Sequence, residues 1–223
     1  MKRLRFCDFD EAVDLDDPQF VTLVLENPVS MRKYCEDLFS GFGEDDPFFR
    51  LSNDGKPLYL DEHGLFLPNP FSLDLNSKRN LNALAKLIKK SYFDDLSESV
   101  EIVRKTIEKA VEDIRLDFAV EIVSDFNLKT DDIFKIANIK FDDYCENAVE
   151  RLCKFLAVEN ELQRTSILFT LHLRDYFSEE EIESIRKEIG YRGWSIVDLE
   201  SRNDIPHLVG EHRFVMDRDF CSF

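Results

Sequence analysis

Apolar and polar residues alternate from Lys2 to Phe9, with Leu4 and Phe6 against Arg3 and Arg5, a period of two that predicts a strand. Phe20 to Leu25, FVTLVL, is almost continuously apolar, the pattern of a strand buried on both faces of a parallel sheet. Glu26-Asn27-Pro28 ends it, Ser30 is the predicted cap, and Met31 to Phe39 reads as a helix. Gly41 to Pro47 reads as a loop. Asn53-Asp54-Gly55, between FFRL and PLYL, is a hairpin signal, and Asp61-Glu62-His63-Gly64 turns the chain again before LFLP. Far downstream the same alternation of element types returns. Asp142 to Val158 predicts a helix with Ala148, Leu152, Phe155 and Leu156 inward, and Thr165 to Leu171 predicts a second buried strand. Ser178 followed by three glutamates opens a helix with Ile182, Ile185 and Ile189 inward, Trp194 to Leu199 is the next strand, and Phe214 to Met216 a last short one. A strand, helix and strand in this order imply a parallel crossover.

Between these stretches the period changes to that of helices. Leu75 to Phe93, LNSKRNLNALAKLIKKSYF, carries Lys78, Arg79, Lys86, Lys89 and Lys90 and no acidic residue. At 100° per residue these five fall within about 120° of one another, opposite Leu81, Leu84, Leu87, Ile88 and Tyr92. Either a solvated surface face or a face that meets a polyanion accounts for this pattern. A long helix follows from Ser97 or Ser99 to about Val123, and Thr130 is the predicted cap of a short one. The expected organisation is an α/β head domain of residues 1–74 and 140–223, interrupted by a helical leg domain of residues 75–139.

Charge sharpens the choice for the basic helix. The chain carries 46 acidic and 29 basic residues, a net charge of −17, so its average surface repels phosphate and excludes broad nucleic-acid or membrane binding. Any such contact must be local. A hydrophobic content of 43% with 20 Phe residues predicts a folded chain. Five cysteines without CxxC spacing suit reduced thiols rather than a disulfide framework. The start, MKRLRFCDFD, turns acidic without an apolar stretch, and no window approaches a membrane span, so a cytoplasmic protein is expected.

The candidate chemistry is sparse. The turn ENPVSMRK after the first buried strand sits where a phosphate loop would lie, yet it has no glycine to let backbone N–H groups close on phosphate. His207 and His212 are five apart and do not share a helix face, so an HExxH zinc site fails, and the acids around Asp14 to Asp17 meet Pro18 where an EF-hand needs a ligand. No catalytic residue is assigned. Asp117, Glu121 and Asp125, at i, i+4 and i+8, would share one helix face, where like charges repel unless a hard cation relieves them. A solvated acidic face gives the same spacing.

The chain resembles the accessory protein family of type II-A CRISPR loci that acts in spacer acquisition. The likeness is carried by VTLVLENPVSMRKYC, DLNSKRNLNALAKLI, the acidic arm segment, SILFTLHLRDYFSEEEIESIR and WSIVDLESR. It implies an α/β head like a degenerate P-loop ATPase, with a mostly parallel sheet and an inserted α-helical leg. It also implies a non-catalytic protein that binds ends of linear double-stranded DNA as a homotetrameric ring, stabilised by calcium. Integrase proteins and the effector nuclease are its implied partners. By position, Lys78, Arg79, Lys86, Lys89 and Lys90 would face the DNA, and Glu121, Asp125, Asp131 and Asp132 fall where the family holds calcium. A metal-dependent nuclease using the acidic cluster, and a protein–protein adaptor without DNA binding, are the alternatives.

Overall fold

The computed structural model describes residues 1–40, 47–163 and 165–223, the side chains of Asp131 and Gln163 excepted; the predicted loop at Gly41 to Pro47 lies outside them apart from Pro47. In chain order come strands Lys2–Phe6 (β1), Ala12–Asp14 (β2) and Phe20–Leu25 (β3), helix Pro28–Phe39 (α1), and strands Phe49–Asn53 (β4), Lys56–Leu58 (β5) and Gly64–Leu67 (β6). Three helices follow, Lys78–Ser91 (α2), Phe93–Leu116 (α3) and Thr130–Ile136 (α4). Helix Ala148–Gln163 (α5), strand Ile167–Leu171 (β7), helix Glu179–Tyr191 (α6) and strands Ser195–Glu200 (β8) and Glu211–Met216 (β9) complete the chain. It divides into two units, Met1–Asp74 with Tyr144–Phe223, and Leu75–Asp143.

The first unit is α/β and is built on a five-stranded sheet of order β6-β7-β8-β3-β9, in which every pairing is parallel. All six residues of β3 are buried, which is why FVTLVL shows no alternation. Along it the side chains still alternate between two cores. Val21, Leu23 and Leu25 join Phe169, Val197, Leu199 and Phe214 against β1, β4 and Tyr34 and Leu38 of α1. Phe20 joins Leu168 and Ile196 against Leu152 and Leu156 of α5 and Ile182, Ile185 and Ile189 of α6. A second, antiparallel sheet of order β2-β1-β4-β5 covers the first core. Five phenylalanines are buried in that core. Phe49 meets Phe6, Tyr34 and Phe169 edge-on at centroid distances of 5.8, 5.3 and 5.0 Å.

Local signals explain most boundaries. Asp54 and Gly55 adopt φ of 50° and 76°, the two left-handed positions of a type I′ turn, and so pair Asn53 with Lys56 across β4 and β5. Ser178 and Glu181 form the reciprocal capping box that opens α6. Two predicted starts move. Helix α1 begins at Pro28, because Asn27 rather than Ser30 accepts from the Val29 N–H at 2.9 Å and proline is preorganised for the first helical position. Helix α5 begins at Ala148 rather than Asp142, with Asn147 accepting from the Glu150 N–H at 2.8 Å.

In the second unit the side-chain amide of Asn76 pairs with the backbone of Phe141 in both directions, accepting at 2.8 Å and donating at 3.0 Å, which ties together the ends of the insertion. Burial there is slight. Leu75, Val100 and Leu128 are buried, while Ile102, Ile114, Leu116, Val120, Val123 and Ile136 are each at least half exposed. The contrast between the units predicts different sensitivities. Phe49→Ala should lower stability by about 3–5 kcal/mol, and Ile102→Ala by less than about 0.5 kcal/mol. Urea denaturation of the two variants checks this; equal losses would contradict the placement of the core.

Candidate nucleic-acid interface

Helix α2 is opened by Ser77, whose hydroxyl accepts from the Asn80 N–H at 3.2 Å. Asn80 is buried and donates to the Leu75 carbonyl at 3.3 Å, which fixes the entry of the chain. Of the predicted basic face, Lys78, Arg79, Lys86 and Lys90 are exposed and Lys89 is half-buried. The opposite face is less covered than its pattern implies. Leu81, Leu84 and Ile88 are half-buried, Leu87 is 42% exposed and Tyr92 57%.

The next helix shows what an acid-free sequence leaves available. In α3, Arg104 makes a forked pair with Glu101 at 2.7 and 2.8 Å, and Lys105 meets the same carboxylate at 3.4 Å. These cations are neutralised by their own helix. Helix α2 contains no Asp or Glu and offers no such partner within itself, although Lys89 has an interaction elsewhere in the chain. Its last turn also places Lys89 and Lys90 at the negative end of the helix dipole.

The acidic cluster is not arranged as predicted. Helix α3 starts at Phe93, directly after α2, and ends at Leu116 instead of near Val123. Residues 118–129 have no regular structure. Asp117, Glu121 and Asp125 therefore share no helix face. Repulsion at i, i+4 and i+8 disfavours the helix, and β-branched Val120, Ile122 and Val123 prefer extended backbone. Glu121 and Asp125 are exposed. Asp132 is engaged by its own helix, its carboxylate accepting from the Lys129 N–H at 3.0 Å and lying 3.6 Å from Lys135 Nζ, and Lys129 takes the cap position predicted for Thr130. The side chain of Asp131 lies outside the described residues. Among the described residues no three His, Cys, Asp or Glu side chains come together to hold a metal. Among the described residues Glu121, Asp125 and Asp132 are not gathered into such a group.

The turn from β3 to α1 offers a nucleotide phosphate little. Pro28 has no N–H, the Val29 N–H is taken by Asn27, and Glu26 precedes them.

A polar cluster not foreseen from the sequence lies at the C-terminal ends of β7 and β8. Asp198 accepts from the Thr170 hydroxyl at 2.7 Å and from the Leu173 N–H at 3.1 Å, and Glu200 meets His172 Nδ1 at 3.1 Å. Both carboxyls are fully buried, and His172 is held at φ 51°. Burial, then the neighbouring Glu200, pushes Asp198 far above the usual carboxylate range. The hydrogen bond to Glu200, opposed by burial, raises His172. Nearby, burial works to raise Glu211, but hydrogen bonds from Arg213, the Leu208 N–H, Thr22 and Arg174 bring it down to about 2. The only sequence trace of the buried acids is D-x-E inside the apolar SIVDLE.

A family model described as CRISPR-associated protein (Cas_Csn2) matches residues 41–220. No curated protein matches the chain. Among solved structures it is similar to a Pyrococcus furiosus protein described as an ABC transporter ATP-binding protein, at 14% identity and a TM-score of 0.42, over 95% of this chain and 96% of that one. It is also similar to a bacterial Atm1-family ABC exporter with ATP bound, at 10% identity and a TM-score of 0.38, over 90% of this chain and 35% of that one.

The two raised groups predict a stability that declines toward alkaline pH. Protonation of His172 and Asp198 is favoured in the folded state. Their contributions are complete below the unfolded values of 6.5 and 3.8 and are lost as pH rises through the higher folded values. Glu211 acts oppositely, its contribution being present above 4.5 and lost as pH falls toward 2. Thermal melts across pH should therefore peak in the mildly acidic range. His172→Gln should flatten the decline around neutrality, and an unchanged profile would contradict the His172–Glu200 coupling.

Proposed function

The chain belongs to the Cas_Csn2 family of CRISPR-associated proteins, and on that premise we propose that it acts in CRISPR spacer acquisition as a cytoplasmic, non-catalytic protein that binds linear double-stranded DNA. The observation that carries this is the exposed, acid-free basic face of α2 in a chain of net charge −17. Lys78, Arg79, Lys86, Lys89 and Lys90 contact phosphates, so binding is independent of base sequence and falls steeply with salt. One such face spans about three helical turns and is too small to hold a duplex. A homotetrameric ring, through which a free DNA end is threaded, brings four of them to one duplex. The exposed apolar residues of the second unit supply surface for that assembly. Integrase proteins and the effector nuclease are the partners to which the bound end is passed. Calcium finds no ligand set in the described residues of one chain.

Reversal of charge at Lys78 and Lys90, which lie outside the groove between α2 and α4, in a Lys78→Glu/Lys90→Glu variant, should weaken binding of a linear duplex more than about a hundredfold at low salt while the oligomer persists. Gel shifts with linear and closed-circular DNA, run beside light scattering, read both. Undiminished affinity in the variant would sink the DNA reading. Equal binding of closed circles would remove the threading of ends. Chelator added to the same samples shows whether calcium alters mass or affinity.

A further inference from the structure

Helices α2 and α4 enclose an open groove of about 590 Å³. Leu81, Leu84, Ala85, Phe134 and Ile139 make an apolar floor, and Lys86, Lys89 and Lys135 stand among its lining residues. Phosphate contacts need the lysines but not the floor. An apolar floor rimmed by cations suits a segment that is apolar and acidic at once.

The chain contains such a segment. Residues 117–126, DFAVEIVSDF, leave regular structure after α3, and Phe118, Val120 and Val123 are 58%, 76% and 77% exposed. Asp117, Glu121 and Asp125 lie among them, all exposed. In its own chain the segment does not meet the groove, for none of its residues lines it. We propose that residues 117–126 of one copy dock in the α2–α4 groove of a second copy, with their carboxylates paired to Lys86, Lys89 and Lys135.

The dimensions agree. Leu81 to Lys89 spans about 12 Å of helix, a length covered by about four extended residues. In extended backbone Phe118, Val120 and Ile122 share one side and Glu121, Val123 and Asp125 the other. The first row covers the floor, and the long lysine stems reach the acids of the second. Lys89 already has an interaction within its own chain, and Lys135 meets Asp132 at 3.6 Å, an exposed pair that a partner carboxylate can readily exchange. Docking would occupy Lys86 and Lys89, so a groove filled by a second copy competes with duplex for these two side chains.

This contact presupposes the self-association proposed above and none of its DNA contacts. Lys135 lies outside the DNA-facing set, so the two can fail separately. In sedimentation velocity of the full chain, Lys135→Glu should weaken self-association about tenfold, and adding Glu121→Lys and Asp125→Lys should restore it. A photoreactive benzoylphenylalanine in place of Val120 should cross-link to residues 81–89 or 134–139 of another copy, identified by mixing isotopically light and heavy protein. A chain that stays monomeric at all concentrations overturns this contact and the ring together. Self-association indifferent to Lys135→Glu, or cross-links confined to one chain or away from the groove, overturns this contact alone.

Discussion

At physiological ionic strength a surface charge is felt over about 8 Å, so phosphate approaching a carboxylate-rich surface is repelled before it makes contact. With 46 acids against 29 bases, this chain can meet a polyanion only where its own acids are absent over a patch larger than that length. Helix α2 contributes to such a patch by composition, with fourteen residues and not one carboxylate. Helix α3 shows the alternative. There Arg104 and Lys105 are consumed by Glu101, and a helix with a similar cation content presents no net attraction.

The head was readable from the sequence because parallel strands buried on both faces leave long apolar runs, and FVTLVL, SILFTL and SIVDLE are such runs. The Asp54-Gly55 turn and the Ser178 capping box were readable because each is completed within four residues. What was misread depends on competition between nearby options. Asn27 and Ser30 can both cap, and only the preference of Pro28 for the first helical position decides between them. The predicted run of α3 to Val123 followed a period that apolar residues keep but that carboxylates four apart and β-branched residues override.

The candidate site divides in the same way. Its basic face was legible because charge depletion is a property of one contiguous stretch. The shared face of Asp117, Glu121 and Asp125 was inferred from spacing on a helix that does not extend so far, and Asp132, placed with the acids by the family resemblance, is engaged by its own helix. The Asp198–Glu200–His172 cluster and the α2–α4 groove left almost no trace, because both arise from elements distant in sequence. Asp198 and Glu200 become a buried acid pair only because β8 lies between β7 and β3.

One helix is therefore asked to do two things. The lysines of α2 project on a face about 120° wide, and Leu81 and Leu84 follow on the adjoining side, where the groove begins. Lys86 and Lys89 belong to both surfaces. If a second copy's acidic segment fills the groove, those two lysines are partly neutralised, and the duplex is left chiefly Lys78, Arg79 and Lys90. Assembly then has opposite effects on affinity: it gathers basic faces around one duplex while weakening each face. The first effect grows with the number of copies on the same DNA, whereas the second is fixed per contact, so a closed ring retains net attraction where a dimer loses most of it. Salt separates the two contributions, since phosphate contacts release condensed counterions and a peptide's isolated carboxylates do not.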